Sequence, residues 1–402
     1  MSPTRRDLLR RTTVGSLALG GCLGFGGGGT ECTEGRTVHE RDAALRPDAA
    51  WPMFGYDAAN TGANPDATGP VDGVTTRWRY SACAEADSGV AVADGRACAG
   101  GLVVDGRTGE RAGGEWQAHQ RTPAVGGGRL YVGTHDLVAR DAATGAVQWT
   151  FETAADAGAI SAPTVVDGTV YVAGVLRDST LYAVDAASGE ERWRVGTAGT
   201  PGPGAPAVAD GRAYVVDESG AVTAVATADG SERWQVTPDP GGWAVAPVVA
   251  DGRVYVAGDG VVLALDAADG TERWRRDVGH GVRPPVAVAG GTVYAAGRDG
   301  RVTALDGDEG TERWGADVDG VGLASPTVAG GSDTVYVGAG GEGGEDGALY
   351  ALDGDDGAVH WRFDTRSVLF GDYTRAGLAT GPAVVDDLLY VATAPGDLYA
   401  LG

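Results

Sequence analysis

Lysine is missing altogether: every one of the 31 basic side chains in the 402 residues is Arg. That excludes Schiff-base chemistry and any mechanism built on a Lys nucleophile. Asp and Glu number 55, which leaves a formal net charge of −24. A chain with that surplus of carboxylates is no partner for nucleic acid, whose phosphates are held by clustered cations. Asn occurs only at Asn60 and Asn64, and the four cysteines (Cys22, Cys32, Cys83, Cys98) include no adjacent pair. The five histidines, His39, His119, His135, His280 and His360, show no metal-ligand spacing. Long apolar runs are absent too. The nearest candidate, Thr13 to Gly21, is too short to cross a bilayer as a helix.

What the chain has in abundance is repetition. The eleven-residue segment Ala264-Leu265-Asp266-Ala267-Ala268-Asp269-Gly270-Thr271-Glu272-Arg273-Trp274 recurs as a frame at Ala139–Trp149, Ala183–Trp193, Ala224–Trp234, Ala304–Trp314 and Ala351–Trp361. Successive closing Trp residues stand 44, 41, 40, 40 and 47 apart. A period near forty with short apolar runs and Gly turns is the mark of a four-stranded propeller blade. Within one unit, Val248–Ala250, Arg253–Ala257, Val261–Asp266 and Thr271–Arg276 read as strands. Asp251-Gly252, Gly258-Asp259-Gly260 and Ala267–Gly270 read as the turns between them, where Gly accepts a left-handed backbone. The frame's Asp is placed to accept turn N–H groups, its Ala to leave room between blades, and its Trp to wedge against a neighbour.

The repeats predict an all-β fold, an eight-bladed propeller of four-stranded antiparallel blades. Six units carry the frame, one of them with Ala226 in place of Asp; a seventh, around Val103 to Trp116, is degenerate. The eighth is split: the C-terminus gives three strands, and Val74–Tyr80, with its own Trp78, supplies the fourth. Such a closure leaves no open sheet edge between the chain ends. Seven blades is the alternative if the degenerate unit forms no sheet. Trp78, Trp149, Trp193, Trp234, Trp274, Trp314 and Trp361 are accordingly assigned as blade-docking residues.

The frame closely resembles the tryptophan-docking repeat of the quinoprotein (PQQ) family, Ala-x-Asp-x-x-Thr-Gly-x-x-x-Trp, which Ala139–Trp149 matches at each fixed position. Trp51–Asp57 followed by Asn60-Thr61-Gly62 resembles the lead-in of PQQ-like propellers. For the dehydrogenases of that family the resemblance implies PQQ over the propeller centre, a vicinal disulfide, a calcium ion held by Glu and Asn, and a catalytic Asp. This chain has no adjacent cysteines, and its only two Asn precede the first blade. PQQ with calcium is therefore not expected, and no catalytic or metal-binding residue is assigned. Asp306–Gly310 and Asp353–Gly357 look like calcium loops but sit in the third turn of their blades without the distal Glu of such loops.

Residues 1–22 read as an address. Arg5-Arg6 in Thr4-Arg5-Arg6-Asp7-Leu8-Leu9 forms a twin-arginine export signal, and Leu19-Gly20-Gly21-Cys22 resembles the lipobox of lipoproteins. Cys22 is the expected lipidation site, which makes membrane lipid one partner. Residues 23–49 read as a Gly-rich tether and polar linker, and residues 50–402 as the propeller. The acidity without Lys resembles a halophilic archaeal proteome. Cys83 and Cys98, near the starts of two strands of the degenerate unit, are candidates for a disulfide in an exported protein, though sequence cannot show connectivity.

Connections from fourth to first strands and from second to third strands open on one face. That face is assigned His119, Arg121, His135, Trp243, His280 and Arg283, with Arg298 beside them. The long segment carrying Tyr373 and Arg375 joins them there. Irregular loops are a propeller's usual binding surface, so a protein or small-ligand partner is expected on it. The function expected is that of a non-enzymatic, membrane-anchored, extracytoplasmic scaffold or binding module. It is similar to PQQ-like propeller lipoproteins such as the scaffold subunit of the bacterial outer-membrane β-barrel assembly machine. The alternatives are a quinoprotein-like oxidoreductase and a small-ligand sensor using the same loop face.

Overall fold

Alternating apolar strands and tight Asp/Gly turns cannot bury both faces of a sheet unless another sheet lies on each side, and a ring of blades supplies this for every unit. The computed structural model describes residues 34–38, 45–46, 49–82, 88–113, 121–153, 158–176, 179–202, 204–238, 246–279, 281, 285–320, 322, 324–340, 347–370, 373–378 and 380–402. It is an all-β, eight-bladed propeller. The first strands of the blades, Ala91–Ala93, Ala124–Gly126, Thr164–Val166, Ala207–Ala209, Val248–Ala250, Ala287–Ala289, Thr327–Ala329 and Ala383–Val385, neighbour one another in turn around the axis. Blade 5 illustrates the unit: Val248–Ala250, Arg253–Gly258, Val261–Asp266 and Glu272–Asp277 pair antiparallel in sequence order.

One row of residues across each blade explains how blades adhere. In blade 6, Ala287 lies opposite Tyr294, Tyr294 opposite Ala304, and Ala304 opposite Trp314. The same small–Tyr–Ala–Trp row runs through blades 2 to 8, with Val or Thr at the first place in some. Within each row the Tyr and Trp rings pack tilted, their centroids 5.8–6.1 Å apart. Each Trp Nε1 donates to a main-chain carbonyl at 2.8–3.3 Å, in six of the seven rows one in the third turn of the next blade, as from Trp274 to Gly307 and from Trp314 to Gly354. In six of the seven rows the Tyr hydroxyl donates to the same carbonyl at 2.9–3.4 Å. One C=O has two lone pairs, so both donors are satisfied. Burial pushes these phenols up, Tyr255 to about 12, and keeps them neutral donors.

The frame residues act as the sequence predicts. The turn Asp accepts backbone N–H groups two and three residues ahead, as Asp306 does from Asp308 and Glu309. A bulge between Ala304 and Leu305 in the third–fourth pairing sets Arg313 back toward the same Asp306 carboxylate at 2.8 Å. Arg192 and Arg273 do the same for Asp185 and Asp266. Arg and the turn N–H groups hold these carboxyls below the usual carboxylate range. The frame Gly has φ of 68–77° at Gly145, Gly189, Gly230, Gly270, Gly310 and Gly357. Gly189, Gly230, Gly270, Gly310 and Gly357 also lie against the preceding blade's indole, so that a Cβ on Gly310 would stand 2.6 Å from Trp274.

Blade 8 is closed by Thr76–Ser81, which pairs antiparallel with Asp397–Leu401, as expected. Thr75 and Gly402 exchange backbone hydrogen bonds at 3.2 and 3.0 Å where a covalent turn would otherwise stand. The missing turn would also have supplied the carbonyl acceptor that blade 7 needs, and Pro70 takes its place, accepting from both Trp361 and Tyr336. Outside Thr76–Ser81, Gly35–Val38 adds a fifth antiparallel strand. The polar linker expected up to residue 49 is thus partly sheet, because an open outer edge was available to a β-favouring Thr37-Val38.

Blade 1 has three strands among the described residues, Ala91–Ala93, Arg96–Ala99 and Leu102–Asp105. Its row reads Ala91, Cys98, Val103, so Cys98 stands where the other blades carry Tyr. The expected pairing with Cys83 gives way here: Cys98 is a buried free thiol, packed with Val125, Leu130 and Val132 of blade 2. Cys83 lies outside the described residues. Burial pushes the Cys98 thiol up to about 12, which suppresses its thiolate.

Two predictions follow from the docking geometry and the thiol. Gly252 and Gly310 share a positive φ, 71° and 68°, but only Gly310 faces an indole. Denaturant unfolding of Gly252→Ala should show a loss of about 1 kcal/mol from backbone strain, and Gly310→Ala about 3 kcal/mol once ring displacement adds to it. Equal losses would mean the indole contact is not close. Iodoacetamide at pH 8 should leave Cys98 unmodified in the folded protein and alkylate it after denaturation, read by peptide mass spectrometry.

Candidate functional site

A propeller leaves an axial channel, and what fills it decides which chemistry the centre can host. Here the lead-in, Trp51 to Asn64, fills it. The middle residue of each first strand lies opposite a partner with which it exchanges no hydrogen bond, so its N–H and C=O point to the axis. The lead-in answers them in chain order. Val92 and Trp51 exchange bonds at 2.7 Å; Pro52 accepts from Val125, Ala58 from Val208, Ala59 from Val249, Thr61 from Val288 and Gly62 from Val328, at 2.6–2.9 Å. Ala63-Asn64 then runs parallel to Val328-Ala329.

The two asparagines complete this plug. Asn60 Nδ2 donates to Ala205 and Pro247 carbonyls, in blades 4 and 5, at 3.0 and 3.1 Å. Asn64 Nδ2 donates to Val384 of blade 8 at 2.9 Å. Both side chains are buried, Asn60 at 1 % exposure. Asn60 also takes φ of 60°, a conformation Asn tolerates better than other side chains. Asp57 holds the bend by accepting from Thr61 N and Oγ1 at 2.9 and 2.7 Å. These residues were not singled out for a role in the sequence; the signal was there, since the chain's only two Asn fall within five residues of each other.

Above the plug the axis widens toward the face of the fourth-to-first connections. The space there is about 40 Å³ and is lined by Phe54, Asn60, Thr122, Thr327, Thr380 and small residues between them. A water needs roughly 10–15 Å³ of such space, so there is room for a few. Among the described residues no group of three His, Cys, Asp or Glu side chains could hold a metal ion. The described side chains that line this space include no carboxylate.

Of the residues assigned to the loop face, two come together. His135 is exposed in the second-to-third connection of blade 2, whose Thr134 carbonyl accepts from Ile160 N at 2.9 Å. Arg121 donates Nε to the Ile160 carbonyl at 3.1 Å, and burial lowers its pKa. Gly158–Ile160, an extra strand on the long second strand of blade 3, therefore sits between them. Tyr373 and Arg375 lie apart, on a strand paired with Val368–Phe370 between blades 7 and 8. Arg298 is exposed beside Gly281. His119, Trp243, His280 and Arg283 lie outside the described residues, as do Arg5, Arg6 and Cys22. Arg366, at the foot of the Val368 hairpin, binds Asp397 and Ser81 of blade 8, with Asp397 buried.

The family model described as outer membrane protein assembly factor BamB matches residues 75–196, 177–280 and 258–402. The chain belongs to this family. Among solved structures, BamB from Moraxella catarrhalis is similar with a TM-score of 0.62 at 20% identity, over 82% of this chain and 97% of that one. Quinohemoprotein alcohol dehydrogenase from Comamonas testosteroni gives 0.72 at 17% identity, over 89% and 81%. A computationally designed protein, Ika8, gives 0.66 at 16% identity, over 80% and 96%. At these identities the likeness is one of fold. Comparison with curated proteins by sequence gives no match. Membership of the BamB family accounts for the repeats, and the family match begins at residue 75, after the plug.

The plug predicts its own disruption. Asn60→Gly keeps the positive φ but leaves the Ala205 and Pro247 carbonyls without their donor. A loss of about 2 kcal/mol in denaturant unfolding is expected, about 1 per hydrogen bond, with faster amide exchange at Val208 and Val249 in blades 4 and 5. Unchanged exchange there would sink the assignment of Asn60 as a cross-blade tie.

Proposed function

We propose that this BamB-family propeller is a non-enzymatic binding and scaffold module, extracytoplasmic and held at the membrane by a lipid on Cys22. In this reading Arg5-Arg6 directs export and the loop face recognises a protein partner. The acidic, Lys-free surface belongs to a protein that works in high salt. The observation that carries it is the axial plug. Trp51–Asn64 runs along the propeller axis, its carbonyls hydrogen-bonded to blades 1, 2, 4, 5, 6 and 7, which supports a reading without an axial cofactor. What then remains for recognition is the rim, where loops differ between blades. A BamB carries outer-membrane protein assembly in its name; for this chain the partner is a protein at its own membrane, read by the loops around His135 and Arg121.

A second reading, a quinoprotein-like oxidoreductase, draws on the fold it shares with an alcohol dehydrogenase. The two part company in one experiment. Wild-type protein should sediment with membranes and Cys22→Ser should not. A photo-crosslinker at His135 should give one discrete adduct in membranes, and one at Asp251, in a turn of the opposite face, should give none. Addition of PQQ and calcium should produce no quinone absorbance band and no dye reduction. A band with dye-reducing activity overturns the scaffold reading, and so does an adduct pattern that does not distinguish the two faces.

A further inference from the structure

The plug skips one blade. Between Pro52, bonded to blade 2, and Ala58, bonded to blade 4, the lead-in bulges away from blade 3 and returns. Val165 is the blade 3 equivalent of Val92, Val125 and Val208, in the same register opposite Val170. Its inward N–H and C=O meet no partner from the lead-in among the described residues. Val165 and Val166 are half-buried, whereas the middle valines of the other seven first strands are buried. In the gap lies a cavity of about 640 Å³, within the range of small-ligand sites. It opens on the face of the first-to-second turns, opposite the loop face.

The lining combines two chemical characters. Met53, Pro52 and Val166 supply apolar surface. Asp57, Asp66 and Asp386 supply carboxylates, against a single cation, Arg46, which is itself paired with Asp386. Tyr56 also lines the cavity, held at φ of 74° with its ring 5.1 Å from that of Trp51. Burial raises its phenol pKa, and the nearby charges of Asp66 and Asp57 raise it further. An open strand position takes an amide; a net negative wall takes a cation. A ligand that offers both, on a scale of a few residues, is a peptide that adds to the strand edge.

We propose that this cavity binds a short basic peptide, whose main-chain amide bonds Val165 and whose cationic side chain lies against Asp57 and Asp66. The site is independent of the scaffold reading, since it uses the other face and neither the lipid nor the loops.

Full-length protein, at the lowest salt in which it stays folded, is titrated calorimetrically with acetyl-Ala-Lys-Ala-amide. Saturable binding is expected, with acetyl-Ala-Glu-Ala-amide and n-butylamine each at least tenfold weaker. Asp66→Asn, at an exposed position that should not disturb folding, should weaken the Lys peptide three- to tenfold. Ala50→Trp, which fills the cavity, should abolish binding if it folds. Quenching of Trp51–Tyr56 fluorescence should track the calorimetry. Absence of saturation, equal affinity for the Glu peptide or for butylamine, or unchanged affinity in Asp66→Asn would each overturn the proposal.

Discussion

The structure depends on one repeated contact: an indole N–H and a phenol O–H from one blade converge on a single carbonyl in the next, with a Gly beneath the indole. It fixes distance, tilt and order between neighbours at once. Seven rows make it through Trp, and the acceptor always belongs to the third turn or to its substitute. Because each blade touches only its two neighbours through this contact, the ring behaves as a one-dimensional chain of like interfaces whose ends meet. That is why the seam at blade 8 needed both an extra strand and a borrowed carbonyl. Without Pro70, the buried Tyr336 and the half-buried Trp361 donors would have lost their acceptor, at a cost comparable to a broken hydrogen bond each.

Much of this was legible in the sequence, and for a physical reason. A docking contact made in every blade must leave the same residues at the same spacing, so the Trp, the Ala opposite it, the Asp and the left-handed Gly all stood out. The Tyr partners did not, because Tyr in a strand has many other uses. Cys98 was misread for the opposite reason: a Cys attracts a disulfide hypothesis, while its place in the row, opposite Val103, shows a small apolar substitute for Tyr. The strand at Gly35–Val38 was hidden in a polar segment because an outer edge can recruit four residues with little apolar content.

The site was less legible than the fold. Function in a ring of repeats resides where the repeat is broken, and such positions carry no periodic signal. Trp51 to Asn64 looked like an approach to the first blade; it is the axis. Its hydrogen bonds go to residues from Val92 to Val384 in sequence, and a pattern search has no means of joining partners so far apart. Its one lapse, at blade 3, comes from five residues that bend outward, with Asp57 holding Thr61 to bring the chain back. Arg121 and His135 were chosen only because they lie in loops; Arg121 and Thr134, the residue before His135, do share a partner, Ile160, whereas Tyr373 and Arg375 belong to a different sector of the rim.

The position of the plug also dictates an order of events. Trp51 to Asn64 leaves the ribosome before its blade partners, which are distributed through the next 320 residues, and Asp397–Leu401, which closes the ring with Thr76–Ser81, is made after the strands of the other blades. The plug therefore waits for the closing strand, and closure pays the entropy of a loop that spans the whole ring. The same latch works in reverse. A blade cannot peel away while the lead-in is bonded across its inner edge, so the barrier to opening lies in extracting that one segment. The ring's lifetime then rests on a rate of extraction, a form of kinetic stability.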